Sequence, residues 1–323
     1  MRYSRVVLTS GFLTVTVLFA TVISLLAEDR PIPSGKSKVP TTQKERYVPA
    51  SDPLLYAGTE TCKTCHEDKF NSYAESRHSA TDLHATRGPG WQGCEACHGP
   101  GKAHVDGGGD KTKIFAFRSG TPADLSQRCL GCHSFADQQI NFLRSEHAKN
   151  SVGCLDCHSV HSARIEKALL KAPQSTLCFQ CHLNVKPEFS KPSHHRVNEG
   201  LITCADCHNP HGGFGLRQIR TTAAREAVCV KCHAGKAGPF AVEHAVMRTE
   251  GCTACHTPHG SANPRLLKRS QINLLCLECH TDTVGSAAPA LPSFHNQAQK
   301  YQACTLCHVA IHGSNSDRFL MKP

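Results

Sequence analysis

The feature that most constrains this chain is one five-residue motif, Cys-x-x-Cys-His, which occurs ten times and consumes every cysteine. The copies lie at Cys62, Cys65 and His66; Cys94, Cys97 and His98; Cys129, Cys132 and His133; Cys154, Cys157 and His158; and Cys178, Cys181 and His182. They continue at Cys204, Cys207 and His208; Cys229, Cys232 and His233; Cys252, Cys255 and His256; Cys276, Cys279 and His280; and Cys304, Cys307 and His308. Vicinal disulfides and zinc ribbons both use paired cysteines, but neither needs a histidine behind every pair. Covalent haem attachment does. The two thiols add to the vinyl groups and fix one ring edge, and the adjacent imidazole is then placed over the iron. With 22 histidines in 323 residues, one behind all ten pairs is not coincidence.

Twelve histidines remain: His78, His84, His104, His147, His161, His194, His195, His211, His244, His259, His295 and His312. They follow a longer period. Each odd-numbered motif is followed after 11 to 15 residues by a histidine, and each even-numbered motif within six residues by another. Ten haems need ten sixth ligands. The spacing selects His78, His104, His147, His161, His195, His211, His244, His259, His295 and His312, with His84 and His194 as the alternatives to His78 and His195. A histidine three residues past a proximal ligand lies on the same face of that ring and cannot reach the other. His161, His211 and His259 must therefore serve neighbouring haems, so that the chain stitches haem to haem. Methionine is the other axial ligand in such proteins, but beyond the start residue only Met247 and Met321 exist. The expectation is ten covalently bound haems c, all bis-His, low-spin and low in potential.

Composition agrees. Aromatic residues are 6% and there is one Trp, so side chains alone cannot fill an interior for a chain of this length. About 30 residues per haem cannot insulate the haems from one another, which predicts near contact, fast hopping and an apo-chain that does not fold. The fold class expected is a multihaem cytochrome c: mostly irregular chain with short α-helices around an elongated haem row and no significant β-sheet. Helices are expected over 124–133 and 223–233.

The formal charge is +10, but Lys and Arg are scattered and no basic stripe interleaves with aromatics, which argues against nucleic acid. Arg2 and Arg5 precede an uncharged run from Val6 to Ala27, the pattern of an export signal. Residues 1–27 are read as a cleaved leader, with an uncleaved anchor as the other reading of the same run; both place the remainder outside the cytoplasm. Loss of the leader lowers the charge to about +8, and ten haems bring it to about −2 oxidised and about −12 reduced. The basic side chains are then propionate counter-charges. Residues 28–55 read as a flexible linker and 56–323 as the decahaem domain.

Three function classes remain: conduit, shuttle and reductase. A reductase needs an open iron, often marked by a departure from the motif histidine, and all ten motifs keep theirs. From about Tyr56 onward the chain resembles the MtrA/DmsE family of decahaem cytochromes. The resemblance rests on Cys94-Glu95-Ala96-Cys97-His98-Gly99-Pro100-Gly101-x-x-His104, Cys204-Ala205-Asp206-Cys207-His208-Asn209-Pro210-His211-Gly212, and Cys304 to His308 followed by Ile311-His312-Gly313-Ser314-Asn315. It implies an elongated haem wire seated partly in an outer-membrane β-barrel porin, associated with the outer membrane on the periplasmic side. The wire would take electrons from a periplasmic or inner-membrane donor cytochrome and pass them to an extracellular multihaem cytochrome or surface reductase. The family is also similar to two pentahaem modules in tandem, here 56–186 and 187–323, although the two-haem repeat runs across residue 187. The alternative role is a soluble periplasmic shuttle or donor to a terminal reductase.

Overall fold

A Cys-x-x-Cys-His segment has only one compact local solution, a single helical turn. Its histidine N–H then closes an i to i−4 bond on the carbonyl of the first cysteine. That bond forms at His66, His98, His158, His182, His208, His233, His256, His280 and His308, at 2.9 to 3.0 Å. His133 ends the longest helix, Pro122–His133. The protein is described from a computed structural model over residues 47–83, 85–165, 167–220, 227–280 and 302–323. Residues 1–46 lie outside it, and with them the proposed leader and most of the proposed linker.

Helices are short because each only has to carry one motif. Pro122–His133 reaches three turns because Thr121 caps it: its hydroxyl accepts from Asp124 N–H, Asp124 answers the Thr121 N–H, and Pro122 sits at the first helical position. It starts two residues before the expected 124. The helix expected over 223–233 is present in its described part as Ala227–Val230. Among the described residues, apart from isolated bridges, extended chain is confined to four two-residue strands, paired antiparallel: β1 (Ser193–His194) with β3 (Gly260–Ser261), and β2 (Val242–Glu243) with β4 (Gly313–Ser314). Gly260 is needed where β3 crosses the 3-10 helix Lys186–Ser190, because a Cβ there would collide with the Glu188 carbonyl oxygen.

The apolar core is small. Among the described residues the buried hydrophobic side chains are Tyr73, Leu130, Phe142, Ala172, Phe189, Val197 and Ala310, while Phe214 and Leu216 are about as exposed as a side chain can be. Burial of that little apolar area cannot offset the backbone entropy of this many ordered residues. The fold class is that of a multihaem cytochrome c: short helices, two miniature sheets and mostly irregular chain.

Polar contacts join the segments instead. Glu95, inside the second motif, is 3% exposed and accepts three backbone N–H groups, from Ala57, Gly58 and Gly101, at 2.7 to 2.9 Å. It ties the start of the described chain to the second motif. Ser126, 1% exposed, accepts from Cys154 N–H and binds the fourth motif to the helix of the third. Gln174 does the same for the sixth motif by accepting from Ala205 N–H. Contacts cross residue 187 as they do elsewhere, among them Asn209 to the Gln138 carbonyl.

Candidate metal centres

Nine of the ten motif histidines face a second imidazole across a gap of nearly constant width. His66 faces His104 at 6.3 Å between ring centres, His98 faces His161 at 6.4 Å, and His133 faces His78 at 6.1 Å. His158 faces His211 at 5.9 Å, His182 faces His147 at 6.1 Å, and His208 faces His259 at 6.1 Å. His233 faces His195 at 6.2 Å, His280 faces His244 at 5.9 Å, and His256 faces His312 at 6.5 Å. A metal–imidazole bond of about 2.0 Å on each side, plus roughly 1 Å from each nitrogen to its ring centre, spans about 6 Å. The gaps fit one metal ion held between two imidazoles. Among the described residues no three His, Cys, Asp or Glu side chains converge as a zinc site requires.

Nine of the ten distal histidines selected from spacing stand in these pairs. His295, the tenth, lies outside the described residues, as does His84. His194 faces no motif histidine; it bonds Glu199 at 3.0 Å and the Lys191 carbonyl, while its neighbour His195 faces His233. His161, His211 and His259 each face a ring other than their own motif's, as the face argument requires.

The pairing has a rule that spacing did not reveal. An odd motif takes the histidine lying before the preceding even motif: His133 takes His78, His182 takes His147, His233 takes His195 and His280 takes His244. The first motif, with no predecessor, takes His104. An even motif takes the histidine just behind the next even motif, as His158 takes His211. First cysteines of consecutive odd and even motifs also meet. The Cys129 thiol donates to Cys154, holding it down to about 6, and Cys178 holds Cys204 down to about 7 in the same way. The thiols that would attach neighbouring haems are therefore adjacent.

The outer nitrogens alternate too. At even motifs the proximal Nδ1 hydrogen-bonds a backbone carbonyl: His98 to Phe115, His158 to Ala168, His208 to Arg217, His256 to Arg265 and His308 to Phe319, at 2.6 to 3.0 Å. Three of these carbonyls belong to residues in the left-handed region, Ala168, Arg217 and Arg265, each followed by a second such residue. Two consecutive left-handed residues turn the chain sharply and cost roughly 1–2 kcal/mol each. What they achieve here is to return the chain so that Lys171, Arg220 and Lys268 N–H bond the motif's second cysteine carbonyl and the turn's own carbonyl lands on Nδ1. At odd motifs His66, His133, His182 and His233 are exposed and make no such bond; opposite three of them the distal imidazole is the one held, His104 by Asp110, His147 by Pro210 and His195 by Pro258. Such outer bonds fix ring orientation and leave Nε2 free to ligate.

Burial supports the neutral imidazole that a metal needs. Desolvation lowers the pKa of His78, His98, His161, His208, His244 and His312, and takes His211 down to about 4. Sequence reasoning missed Glu95, Ser126, Glu188 and the turn carbonyls. Only the turns left a trace, the recurring hydrophobic-basic pairs Leu170-Lys171, Ile219-Arg220, Leu267-Lys268 and Met321-Lys322.

Comparison with known proteins agrees with this geometry. A doubled Cys-x-x-Cys-His family model matches residues 147–187, 194–238 and 244–285. Each match opens at or beside a distal histidine and closes behind the odd motif that the histidine faces. The family model for cytochrome c554 and c-prime matches residues 109–159. The multihaem cytochrome MtrA of Shewanella baltica is 34% identical over 268 residues, covering 80% of this chain and 79% of that protein. The high-molecular-weight cytochrome c of Nitratidesulfovibrio vulgaris is 24% identical over 263 residues, 68% of this chain and 46% of that one. Two thiols to attach each porphyrin and an imidazole behind them identify the cofactor as haem c, and the chain belongs to the MtrA family of multihaem c-type cytochromes, electron carriers rather than enzymes.

Proposed function

We propose that this protein is a ten-haem conduit that carries electrons across the outer membrane inside a β-barrel porin. The supporting observation is the chain of nine imidazole pairs, each one metal wide, with consecutive attachment cysteines in contact and every even pair joining two successive repeats. In this reading Cys62, Cys65, Cys94, Cys97, Cys129, Cys132, Cys154, Cys157, Cys178 and Cys181 attach the first five haems. Cys204, Cys207, Cys229, Cys232, Cys252, Cys255, Cys276, Cys279, Cys304 and Cys307 attach the rest. Each motif histidine ligates one iron, and the facing histidine supplies the sixth bond, with His295 serving His308. Residues 56–323 form the decahaem domain, exported by 1–27.

Haem c supplies a one-electron centre. The residues exclude other ligands, hold each imidazole at a fixed angle and keep adjacent ring edges close, so that an electron moves by hopping with little rearrangement. Among the described residues no helix is long and apolar enough to cross a membrane, so passage through the bilayer falls to a partner. That partner is a porin, with a periplasmic or inner-membrane cytochrome as donor and an extracellular multihaem cytochrome or surface reductase beyond. The test is affinity purification from detergent-solubilised outer membranes, with haem staining. Recovery in a stable complex with a β-barrel protein is expected; recovery only from the soluble periplasmic fraction would replace the conduit with a shuttle.

A further inference from the structure

We infer that Glu188 is a positioning residue that makes the His208/His259 site the lowest in potential along the row, an inference that rests on the ligation reading above. Nδ1 acceptors are distributed unevenly. Most described sites have one imidazole held by a backbone carbonyl. At the even site His158/His211 the distal Nδ1 is buried with no hydrogen-bond partner. At His259 the acceptor is a carboxylate. Glu188 Oε2 lies 2.8 Å from Nδ1, while His208, across the gap, is held by the Arg217 carbonyl at 3.0 Å.

Glu188 is held in place by structure. It sits in the 3-10 helix Lys186–Ser190, whose Phe189 is buried against the His259 ring at 5.0 Å. Gly260 lets β3 approach the Glu188 backbone so closely that no other residue would fit. The carboxylate is thus aimed at the ring from one side and from a fixed base. Its side chain is about two-fifths exposed, 40%.

A charged acceptor binds an N–H more strongly than a neutral carbonyl does. It draws the Nδ1 proton outward, enriches electron density at Nε2 and strengthens donation to the metal, the known effect of a carboxylate behind a ligating imidazole. A more strongly donating ligand and a nearby negative charge both favour the oxidised, more positive metal. The electron arriving from a neighbouring site is held least firmly here, so this site is the last reduced and first reoxidised. The opposite extreme is His133/His78, where His133 is exposed and His78 Nδ1 is buried with no hydrogen-bond partner. Glu188 thereby puts a step into the middle of the row instead of a uniform ladder.

The experiment uses the full haem-loaded protein carrying Glu188→Gln, with Glu188→Asp as the conservative partner. Optical redox titration and EPR of the oxidised protein are read side by side with the parent. For Glu188→Gln we expect the lowest-potential component alone to rise, with its reduced-to-oxidised ratio at fixed potential increasing at least about tenfold, equivalent to 59 mV for one electron. One low-spin species should shift its g-values, and Glu188→Asp should restore most of both changes. Ten low-spin haems with unchanged titration and unchanged g-values would overturn the assignment and leave the ligation reading standing. Fewer than ten low-spin bis-His irons in the parent would overturn both.

Discussion

Two kinds of site alternate along the chain, and they do different work. The odd sites from His182 onward close within one repeat: His147 faces His182, His195 faces His233, and His244 faces His280, each pair inside one doubled-motif match. The even sites close between repeats: His158 with His211, His208 with His259, and His256 with His312. An intra-repeat pair makes a local unit. An inter-repeat pair makes the next unit continue the row. The anchoring carbonyls lean the same way, on the proximal imidazole at even sites and on distal His104, His147 and His195 at odd ones. A solenoid of repeats normally buries an apolar interface between neighbours. Here two imidazoles facing each other across a gap one metal wide stand in its place.

The comparison can be broken outright by withholding haem. Neither kind of site then closes, and seven buried apolar side chains cannot hold the described chain together. Circular dichroism and light scattering of chain made without haem attachment should show an expanded, unfolded polymer. A compact helical apoprotein would end the account.

Next in size is the turn that distinguishes even sites from odd. Arg217 has a φ of 55°, which proline cannot adopt, so Arg217→Pro displaces the carbonyl holding His208 and costs about 3 kcal/mol or more. Thermal melting followed at the haem band should show it, with Arg217→Gly near the parent.

A third prediction sharpens the division itself. His211→Ala and His195→Ala should each convert one low-spin haem to high spin. Only His211→Ala also unlatches two repeats, so limited proteolysis between them should accelerate about tenfold relative to His195→Ala. Equal cleavage would mean the inter-repeat pair does not join the units. The smallest effect is Thr121→Ala, which removes the cap of Pro122–His133 and should cost about 1 kcal/mol in denaturant midpoint, with spectra unchanged.

What could be read in advance follows from where the information lies. Attachment cysteines and proximal histidines are adjacent in sequence and were legible at once. The distal set was legible because the repeat places a histidine within a narrow span behind each motif, a span that leaves His194 and His195 both open. Which histidine faces which was not legible, because each pair joins segments tens of residues apart and the trajectory between them is set by turns such as Ala168-Leu169 and Arg217-Gln218. Those turns act through backbone carbonyls, and the hydrophobic-basic pairs that follow them do not say which imidazole the carbonyl will meet. Glu95 and Glu188 were hidden for another reason. One acidic residue among 26 Asp and Glu is indistinguishable by composition from a solvated one, and only the convergence of Ala57, Gly58 and Gly101 N–H, or of one imidazole, reveals its task.

The most direct test is near-infrared magnetic circular dichroism of the oxidised holoprotein, scaled to its measured haem content. The account predicts a single bis-histidine charge-transfer band whose intensity corresponds to ten low-spin irons. A methionine-sulfur band, or intensity well short of ten, would contradict the paired-imidazole row.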